Sequence, residues 1–168
     1  MNTNKLIVLL LTGPFSMVLL LTLIKFMLRK IREQGEEDFR LKPGYGLYFA
    51  GLLISGMLIQ LTATSRIAEA ADILQKNAGA GIMTDLGKTA VLFMGLGIVW
   101  FFLCYLLAHV FTVAGLGIKK EREEMVLGNT YYFLIKSVLL IAFALLMSPG
   151  LALVLRWLMP GISVQFIH

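Results

Sequence analysis

"REEMVLGNTYYFLIKSVLLIAF", residues 122–143, changes from charged to apolar within a few residues. Acidic residues are followed by Gly128 and Asn129, a pair typical of a turn and a helix cap. Two tyrosines come next, and tyrosine is enriched at membrane–water interfaces. The apolar run then continues to Leu155 and contains a single charged residue, Lys136. Since an α-helix crosses a bilayer core with about 20 apolar residues, this stretch predicts a membrane-spanning helix and marks where it begins.

Three more apolar blocks precede this one, and each is long enough to cross a bilayer. They contain no acidic residue, lysine or arginine and cover Leu6–Ile24, Pro43–Ser65 and Thr89–Ile118. Of the 168 residues, 58% are hydrophobic and 15% are charged, whereas soluble domains carry about 45–50% and about 25%. The blocks are solidly apolar rather than alternating, which argues against a membrane β-barrel.

The sequence therefore predicts an all-α fold, an integral membrane four-helix bundle that forms a single transmembrane domain over residues 1–168. The helices are expected at about 6–28, 44–65, 88–118 and 129–157. Charged hairpins at 29–43 and 119–128 lie on one side, and a loop at 66–87 lies on the other. In that loop we expect helix two to continue through Leu74, and Thr84 or Asp85 to cap helix three.

Basic residues are unevenly divided between the two sides. The hairpin side has nine, which are Lys25, Arg29, Lys30, Arg32, Arg40, Lys42, Lys119, Lys120 and Arg122. The other side has five, which are Lys5, Arg66, Lys76, Lys88 and Arg156. The positive-inside rule then puts the hairpins in the cytoplasm and both termini outside. The net charge of +5 follows from this topology, so it does not indicate nucleic-acid binding.

The two halves of the chain are similar to each other. Aligning Gly44 with Gly128 superposes Tyr48-Phe49 on Tyr132-Phe133. Each half then contains a basic helix end, an acidic pair, a glycine, aromatic residues and an apolar helix. One interpretation is a duplicated helical hairpin, with the copies related by an axis along the membrane normal. The other is that every membrane hairpin needs basic residues, a turn and interfacial tyrosines. The pattern favours the two interpretations about equally.

Two ionisable residues lie inside the apolar blocks, Lys136 and His109. Lys136 is about 10 Å from Asn129 along the helix axis, so its long side chain could reach the headgroups, which is the favoured interpretation. No carboxylate lies within the apolar blocks to pair with it, and Glu123 or Glu124 could do so only from the headgroup level. Alternatively, Lys136, His109 and Ser137 line a polar path, because Lys136 and His109 are at similar depths on neighbouring helices. For His109 by itself, a hydrogen bond to a neighbouring helix is favoured.

Prolines and small residues predict helix distortion and close packing. Pro14 and Pro149 lie inside helices one and four and predict helix breaks, with either packing kinks or a shallow cavity beside them. Gly51 and Ser55 form a small-xxx-small spacing, followed by Gly56, that lets helices approach closely.

The charged hairpins could dock a protein partner. Charged residues four apart predict that helices one and three extend about two turns into the cytoplasm. The candidate docking residues are Arg32, Glu36, Glu37, Arg122, Glu123 and Glu124. The alternative, which is commoner, is a solvated helix end.

Enzyme and cofactor signatures are missing from the sequence. It contains no G-x-S-x-G, H-E-x-x-H or P-loop motif. A single cysteine, Cys104, excludes an intramolecular disulfide, and no Cys/His spacing suits a metal. Haem ligation by His109 is disfavoured because the second histidine, His168, is on the opposite side. We expect a non-enzymatic protein without cofactor or metal.

The stretches "EEMVLGNTYYFLIKSVLLIAFALLM" and "KPGYGLYFAGLLISGMLIQ" carry a resemblance to a known family. The first has the pair Gly128-Asn129, and the second has Gly44-Tyr45 at the same place. The chain resembles small bacterial inner-membrane proteins of the domain of unknown function 350 type. In that family a two-helix unit is repeated, each with a charged cytoplasmic connection, a Gly-Asn and a helix rich in small residues. The resemblance implies the fold and a bacterial inner-membrane location, but it does not imply an activity.

Two functions fit these expectations. The leading hypothesis is a non-enzymatic inner-membrane subunit, embedded in the lipid bilayer and homo-oligomeric, that anchors or signals to a cytosolic partner through its charged hairpins. The alternative is a channel or transporter-like oligomer with a polar path near Lys136 and His109.

Overall fold

Four of the helices in the computed structural model are long and apolar enough to cross a membrane. The structure describes residues 3–32, 42–76, 82–117 and 120–159. In chain order the helices are α1 (Thr3–Arg32), α2 (Pro43–Lys76), α3 (Ile82–Leu116), α4 (Glu121–Val126) and α5 (Thr130–Trp157). These ranges contain helices and turns but no strand. The prediction of an all-α protein with four membrane-length helices is therefore confirmed.

Helix two extends beyond its apolar block as expected, whereas helix three begins earlier than expected. α2 continues to Lys76, with Ile67 and Ala70 buried and Glu69 exposed, as expected of an amphipathic extension. α3 already begins at Ile82, so Thr84 and Asp85 lie within its first turns and do not cap it. The prediction that Thr84 or Asp85 caps helix three was wrong, because both residues, which were assigned to the loop at 66–87, belong to α3.

α3 stops at Leu116 instead of extending two turns further. Gly117 has φ +81°, a left-handed conformation that glycine adopts without strain, and its N–H donates to the carbonyl of Val113 at 2.9 Å. A separate short helix, α4, begins at Glu121. The predicted two-turn extension of α3 is therefore not observed.

α1 and α5 continue through Pro14 and Pro149, so neither proline divides its helix in two. Pro149 has no N–H, so the carbonyl of Leu145 lacks its usual donor in the helix ladder. Beside Pro149, Trp100 Nε1 donates to the carbonyl of Met147 at 3.0 Å, and the Ser148 hydroxyl lies 3.1 Å from that of Thr62. These bonds tie α5 to α3 and α2 at the proline.

α2 is the central helix, and it packs against α1, α3 and α5, while α3 also packs against α5. α1 is peripheral and buries Leu20, Ile24 and Leu28. A symmetric pair of hairpins would require α1 to pack on α5 as α3 packs on α2, and this contact is not one of the extensive ones. The bundle is therefore asymmetric, with α1 held mainly by α2.

Glycines set the distances between α2 and its neighbours. A Cβ atom on Gly51 would lie 2.5 Å from Ser137 Cβ in α5, and one on Gly56 would overlap the side chain of Leu20 in α1. Ser55 donates to the carbonyl of Leu52 at 3.1 Å within its own helix. Gly51 and Gly56 therefore bring two different helices close to α2, as the small-residue spacing predicts in general terms.

Beside Gly13, α1 and α2 leave an apolar groove of about 430 Å³. Its polar lining residues include Ser16, Gln60 and Thr64, and apolar residues form most of the wall. The Ser16 hydroxyl donates to the carbonyl of Gly13 at 2.8 Å and is thereby satisfied within α1.

Candidate functional site

The side chain of Lys136 is completely buried, with 0% of its surface exposed. It points into the bundle and forms an ion pair with Glu121, whose carboxylate is brought over it by α4. The favoured interpretation, a lysine reaching the headgroups, was wrong. Its partner, Glu121, is not one of the glutamates that the sequence suggested for this role, Glu123 and Glu124. Glu121 lies outside every apolar block in the sequence, but as the first residue of α4 it contacts Lys136 of α5.

Two glycine turns position α4. Gly117 and Gly128 have φ values of +81° and +68°, and the six-residue helix lies between them. Its Met125 side chain is buried against the core. Lys42, just before α2, donates to the carbonyls of Met125 and Val126 at 3.4 and 3.1 Å. Those carbonyls form the negative end of the helix dipole, so the cation stabilises the seated α4.

Asn129 joins α4 to α5. Its Oδ1 accepts a hydrogen bond from the Tyr132 backbone N–H at 3.3 Å and caps α5, as the Gly-Asn pair predicts. Its Nδ2 donates to the Glu124 carboxylate. Glu124 is consequently buried. Its proposed role in docking a partner is therefore corrected, because its carboxylate faces the protein.

Two tyrosines complete the surroundings of the ion pair. The Tyr48 hydroxyl donates to Glu121 Oε2 at 3.3 Å and lies 3.4 Å from the Tyr105 hydroxyl. Lys136 Nζ is 4.9 Å from the ring centroid of Tyr48 and 5.0 Å from that of Tyr105. Both rings therefore present π-electron density to the ammonium group, which stabilises a desolvated cation. Tyr48 contributes twice, through its ring to the lysine and through its hydroxyl to the glutamate.

His109 lies at the edge of this cluster. Its Nδ1 is 3.6 Å from Glu121 Oε1, a distance that allows an ion pair but is too long for a hydrogen bond. Nδ1 is buried without a hydrogen-bond partner, whereas 43% of the side chain is exposed. The structure thus brings Lys136 and His109 to one carboxylate, and His109 connects this carboxylate to the surface of the bundle.

Ser137 is not part of the ionic cluster, although it follows Lys136 directly. Its hydroxyl donates to the carbonyl of Leu47 at 3.0 Å, and its Cβ faces Gly51. It therefore joins α5 to α2 and is a packing residue. Its assignment to a polar path is corrected, because its proton is used by the backbone of α2.

The remaining candidate docking residues are only partly within the described chain. Glu123 is exposed and pairs with Lys120 at 3.1 Å. Arg32 ends α1 and Arg122 lies in α4. Glu36 and Glu37 are outside the described residues, as is His168.

Sequence reasoning missed three residues of the cluster, Glu121, Tyr48 as a ligand of it, and Tyr105. The available signal was the pair of glycines that bracket residues 121–126, since they permit the connection to fold back. Among the described residues no group of three His, Cys, Asp or Glu side chains could hold a metal ion. Cys104 is buried, and its thiol lies 3.8 Å from the carbonyl of Phe143.

The electrostatic interaction of this cluster is concentrated in the ion pair between Lys136 and Glu121. A buried ammonium without its partner is strongly unfavourable, and breaking a buried ion pair costs about 3–5 kcal/mol. The position of α4 and the charge of Lys136 are therefore coupled. The chain therefore belongs to the class of multi-pass helical proteins with membrane-length helices. Its particular feature is an ion pair between Lys136 inside the bundle and Glu121 in the short connecting helix. No protein-family model, curated protein or solved structure matches this chain.

Proposed function

We propose that this chain is a non-enzymatic subunit of a bacterial inner membrane, in which α4 is a switch segment read by a cytosolic partner. The observation that supports this most is the ion pair between Lys136 and Glu121. It ties a short connection to a buried charge, so moving α4 changes the energy of the bundle by several kcal/mol. Since about 1.4 kcal/mol is a factor of ten, about 3–5 kcal/mol changes a two-state equilibrium constant by roughly two to three and a half orders of magnitude.

The excess of basic residues near α4 and α2 supports a cytoplasmic position for this end and periplasmic termini. Assembly as a homo-oligomer and membership of the domain of unknown function 350 type belong to the same proposal. The chain shares with that family the charged connection and the Gly128-Asn129 pair that precede an apolar helix.

α4 has one face that contacts the bundle and another that is exposed to a partner. Glu121, Glu124 and Met125 are directed to the bundle, while Glu123 and Val126 are exposed. Leu127, which follows α4, is also strongly exposed. Val126 and Leu127 thus form an exposed apolar pair near the exposed charge of Glu123. A protein partner could bury its own apolar surface against this pair at the cytoplasmic end.

Site-directed photo-crosslinking in the native host tests this proposal. A photoreactive residue at Leu127 is expected to yield a discrete adduct with a soluble protein. The same residue at Val110, an exposed position within α3, is the matched control and should yield none. The pattern from Leu127 should change when Lys136→Met releases α4. If Leu127 and Val110 yield the same adducts, α4 does not present a partner surface.

A second candidate is a transporter-like oligomer, favoured by the partly exposed His109 beside the buried pair. Flux into liposomes tests it. A path through the cluster predicts that Lys136→Ala and His109→Ala reduce flux, and unchanged flux in both variants excludes it.

A further inference from the structure

The groups around the Glu121 carboxylate form a receptor for a carboxylate. Lys136 donates to Oε1 and the Tyr48 hydroxyl donates to Oε2, so each oxygen has its own donor. His109 Nδ1 adds a third polar group 3.6 Å from Oε1. These three side chains belong to α5, α2 and α3, whereas the carboxylate that they surround belongs to α4. The receptor is thus part of the bundle, and its occupant is part of a connection.

The occupant is tethered in a way that allows it to leave. α4 has six residues and is bracketed by glycines in left-handed conformations, which permit large backbone rotations. When Glu121 withdraws, Lys136 loses its counter-charge in a desolvated environment. A free anion that enters the same place restores the ion pair, so it lowers the cost of releasing α4.

We propose that Lys136, Tyr48 and His109 form a binding site for a carboxylate ligand, that Glu121 is its tethered occupant, and that ligand binding releases α4. This inference rests on the proposed role of α4 as the switch segment and names the ligand class that operates it. The ligand is a monocarboxylate with an apolar body. One buried ammonium balances one negative charge, and the rings of Tyr48 and Tyr105, whose centroids are 4.9 and 5.0 Å from it, offer apolar contact to the rest of the ligand.

Charge and geometry both favour a carboxylate. Its two oxygens are coplanar and match the two donors, whereas a phosphate carries more oxygens and a higher charge than the described donors of the cluster satisfy. The carboxylate could come from a small soluble acid or from a lipid-derived fatty acid, which His109 could admit from the bundle surface. Both sources share the same chemistry and can be distinguished by experiment.

Chemical rescue of Glu121→Ala in the full chain, purified in detergent, tests the site. The substitution empties the receptor, so the thermal unfolding midpoint should fall. Acetate should restore most of the loss, because a ligand that binds only the folded state stabilises it. Chloride at equal ionic strength should not. The double variant Glu121→Ala/Lys136→Met should not respond to acetate, since it lacks the cation. Glu123→Ala, on the exposed side of α4, is the matched control and should show neither loss nor response.

The source of the ligand is tested by repeating the rescue with decanoate below its micellar concentration. Rescue by both acids supports a site open to soluble carboxylates. Rescue by decanoate without acetate supports the site and assigns its ligand to lipid. The proposal is overturned if neither acid stabilises Glu121→Ala. It is also overturned if the double variant Glu121→Ala/Lys136→Met is stabilised as much as Glu121→Ala.

A second measurement keeps the proposal testable if Glu121→Ala does not fold. Met125→Cys in a Cys104→Ala background places a thiol on the buried face of α4. Its reaction with a water-soluble maleimide should accelerate several-fold when acetate or decanoate is added, because α4 leaves the bundle. An unchanged rate would contradict the release of α4.

These results separate the two proposals. Rescue without any adduct from Leu127 would keep the carboxylate site and reject the partner surface. An adduct from Leu127 without rescue would do the reverse.

Discussion

Glu121, which is partly exposed, and Lys136, which is fully buried, form an ion pair across fifteen residues and the turn at Gly128. Their helices, α4 and α5, follow each other in the chain, so the pair closes a local loop. The side chain of Lys136 has no exposed surface. Glu121 lies between this side chain and the partly exposed His109. The cluster therefore centres on one ion pair, which joins α4 to α5.

Removing one partner should be more damaging than removing both. Lys136→Ala leaves Glu121 without its cation and should lower the free energy of unfolding by about 3–5 kcal/mol. Lys136→Met combined with Glu121→Leu replaces the pair by apolar side chains and should recover much of that loss. Denaturant or thermal unfolding in detergent gives the double-mutant cycle. If the double variant is less stable than Lys136→Ala, the coupling between the two residues is absent.

The exposed ion pair of α4 provides the contrast. Lys120 and Glu123 are 3.1 Å apart and strongly exposed. Their substitution by alanine should change the free energy of unfolding by less than about 1 kcal/mol.

His109 should contribute less to stability than Lys136. Its Nδ1 lies 3.6 Å from Glu121 Oε1 and its side chain is partly exposed, so the interaction is weakened by distance and by solvent. We expect His109→Gln to cost about 1 kcal/mol or less in the same unfolding assay. A loss equal to that of Lys136→Ala would mean that the imidazole is an equal partner in the pair.

The sequence predicts the helices of this protein better than their arrangement. Apolar length alone determines four membrane-length helices, and the Gly128-Asn129 pair marks the start of α5 because Asn129 caps it through a local bond. The position of Glu121 depends instead on how a six-residue connection folds back, and hydropathy carries no information about that. A charged residue just outside an apolar block can therefore be the partner of one inside it.

The sequence also does not predict which helices pack against the glycines of α2. The spacing of Gly51 and Ser55 indicates close approach without saying which helix approaches. In the structure Gly51 meets α5 and Gly56 meets α1, whereas Ser55 bonds within α2. This depends on the central position of α2, which follows from the whole bundle.

Gly51 should tolerate no side chain. A Cβ atom there would lie 2.5 Å from Ser137 Cβ and 2.8 Å from its Cα, so backbone would have to move. Gly51→Ala should destabilise the protein by about 1–3 kcal/mol through overpacking. Gly46→Ala is the matched control in the same helix, because nothing lies within 4 Å of its Cβ position. It should be neutral or stabilising by up to about 1 kcal/mol. Equal effects of the two substitutions would contradict the close α2–α5 contact.

Gly128 should be required for the seating of α4. Its φ of +68° is unfavourable for other residues by about 1–2 kcal/mol, while the space around it is open. Gly128→Ala should therefore loosen α4 without disturbing the core, and hydrogen exchange should accelerate at residues 121–126 more than in α2 or α5. Gly115→Ala, also in open space but without a positive φ, is the control. Faster exchange throughout the bundle would indicate a packing defect instead.

Labelling of single cysteines tests the topology that the proposed function requires. In a Cys104→Ala background, Leu127→Cys and Trp157→Cys place thiols at exposed positions near opposite ends of α5. α5 has 28 residues, long enough to place its two ends on opposite sides of a bilayer core about 30 Å thick. An impermeant maleimide should label position 157 in intact spheroplasts and position 127 only after permeabilisation, because the hairpin side carries more basic residues. The reverse pattern would put α4 outside the cytoplasm and reject a cytosolic partner, while leaving the ion pair with Lys136 unaffected.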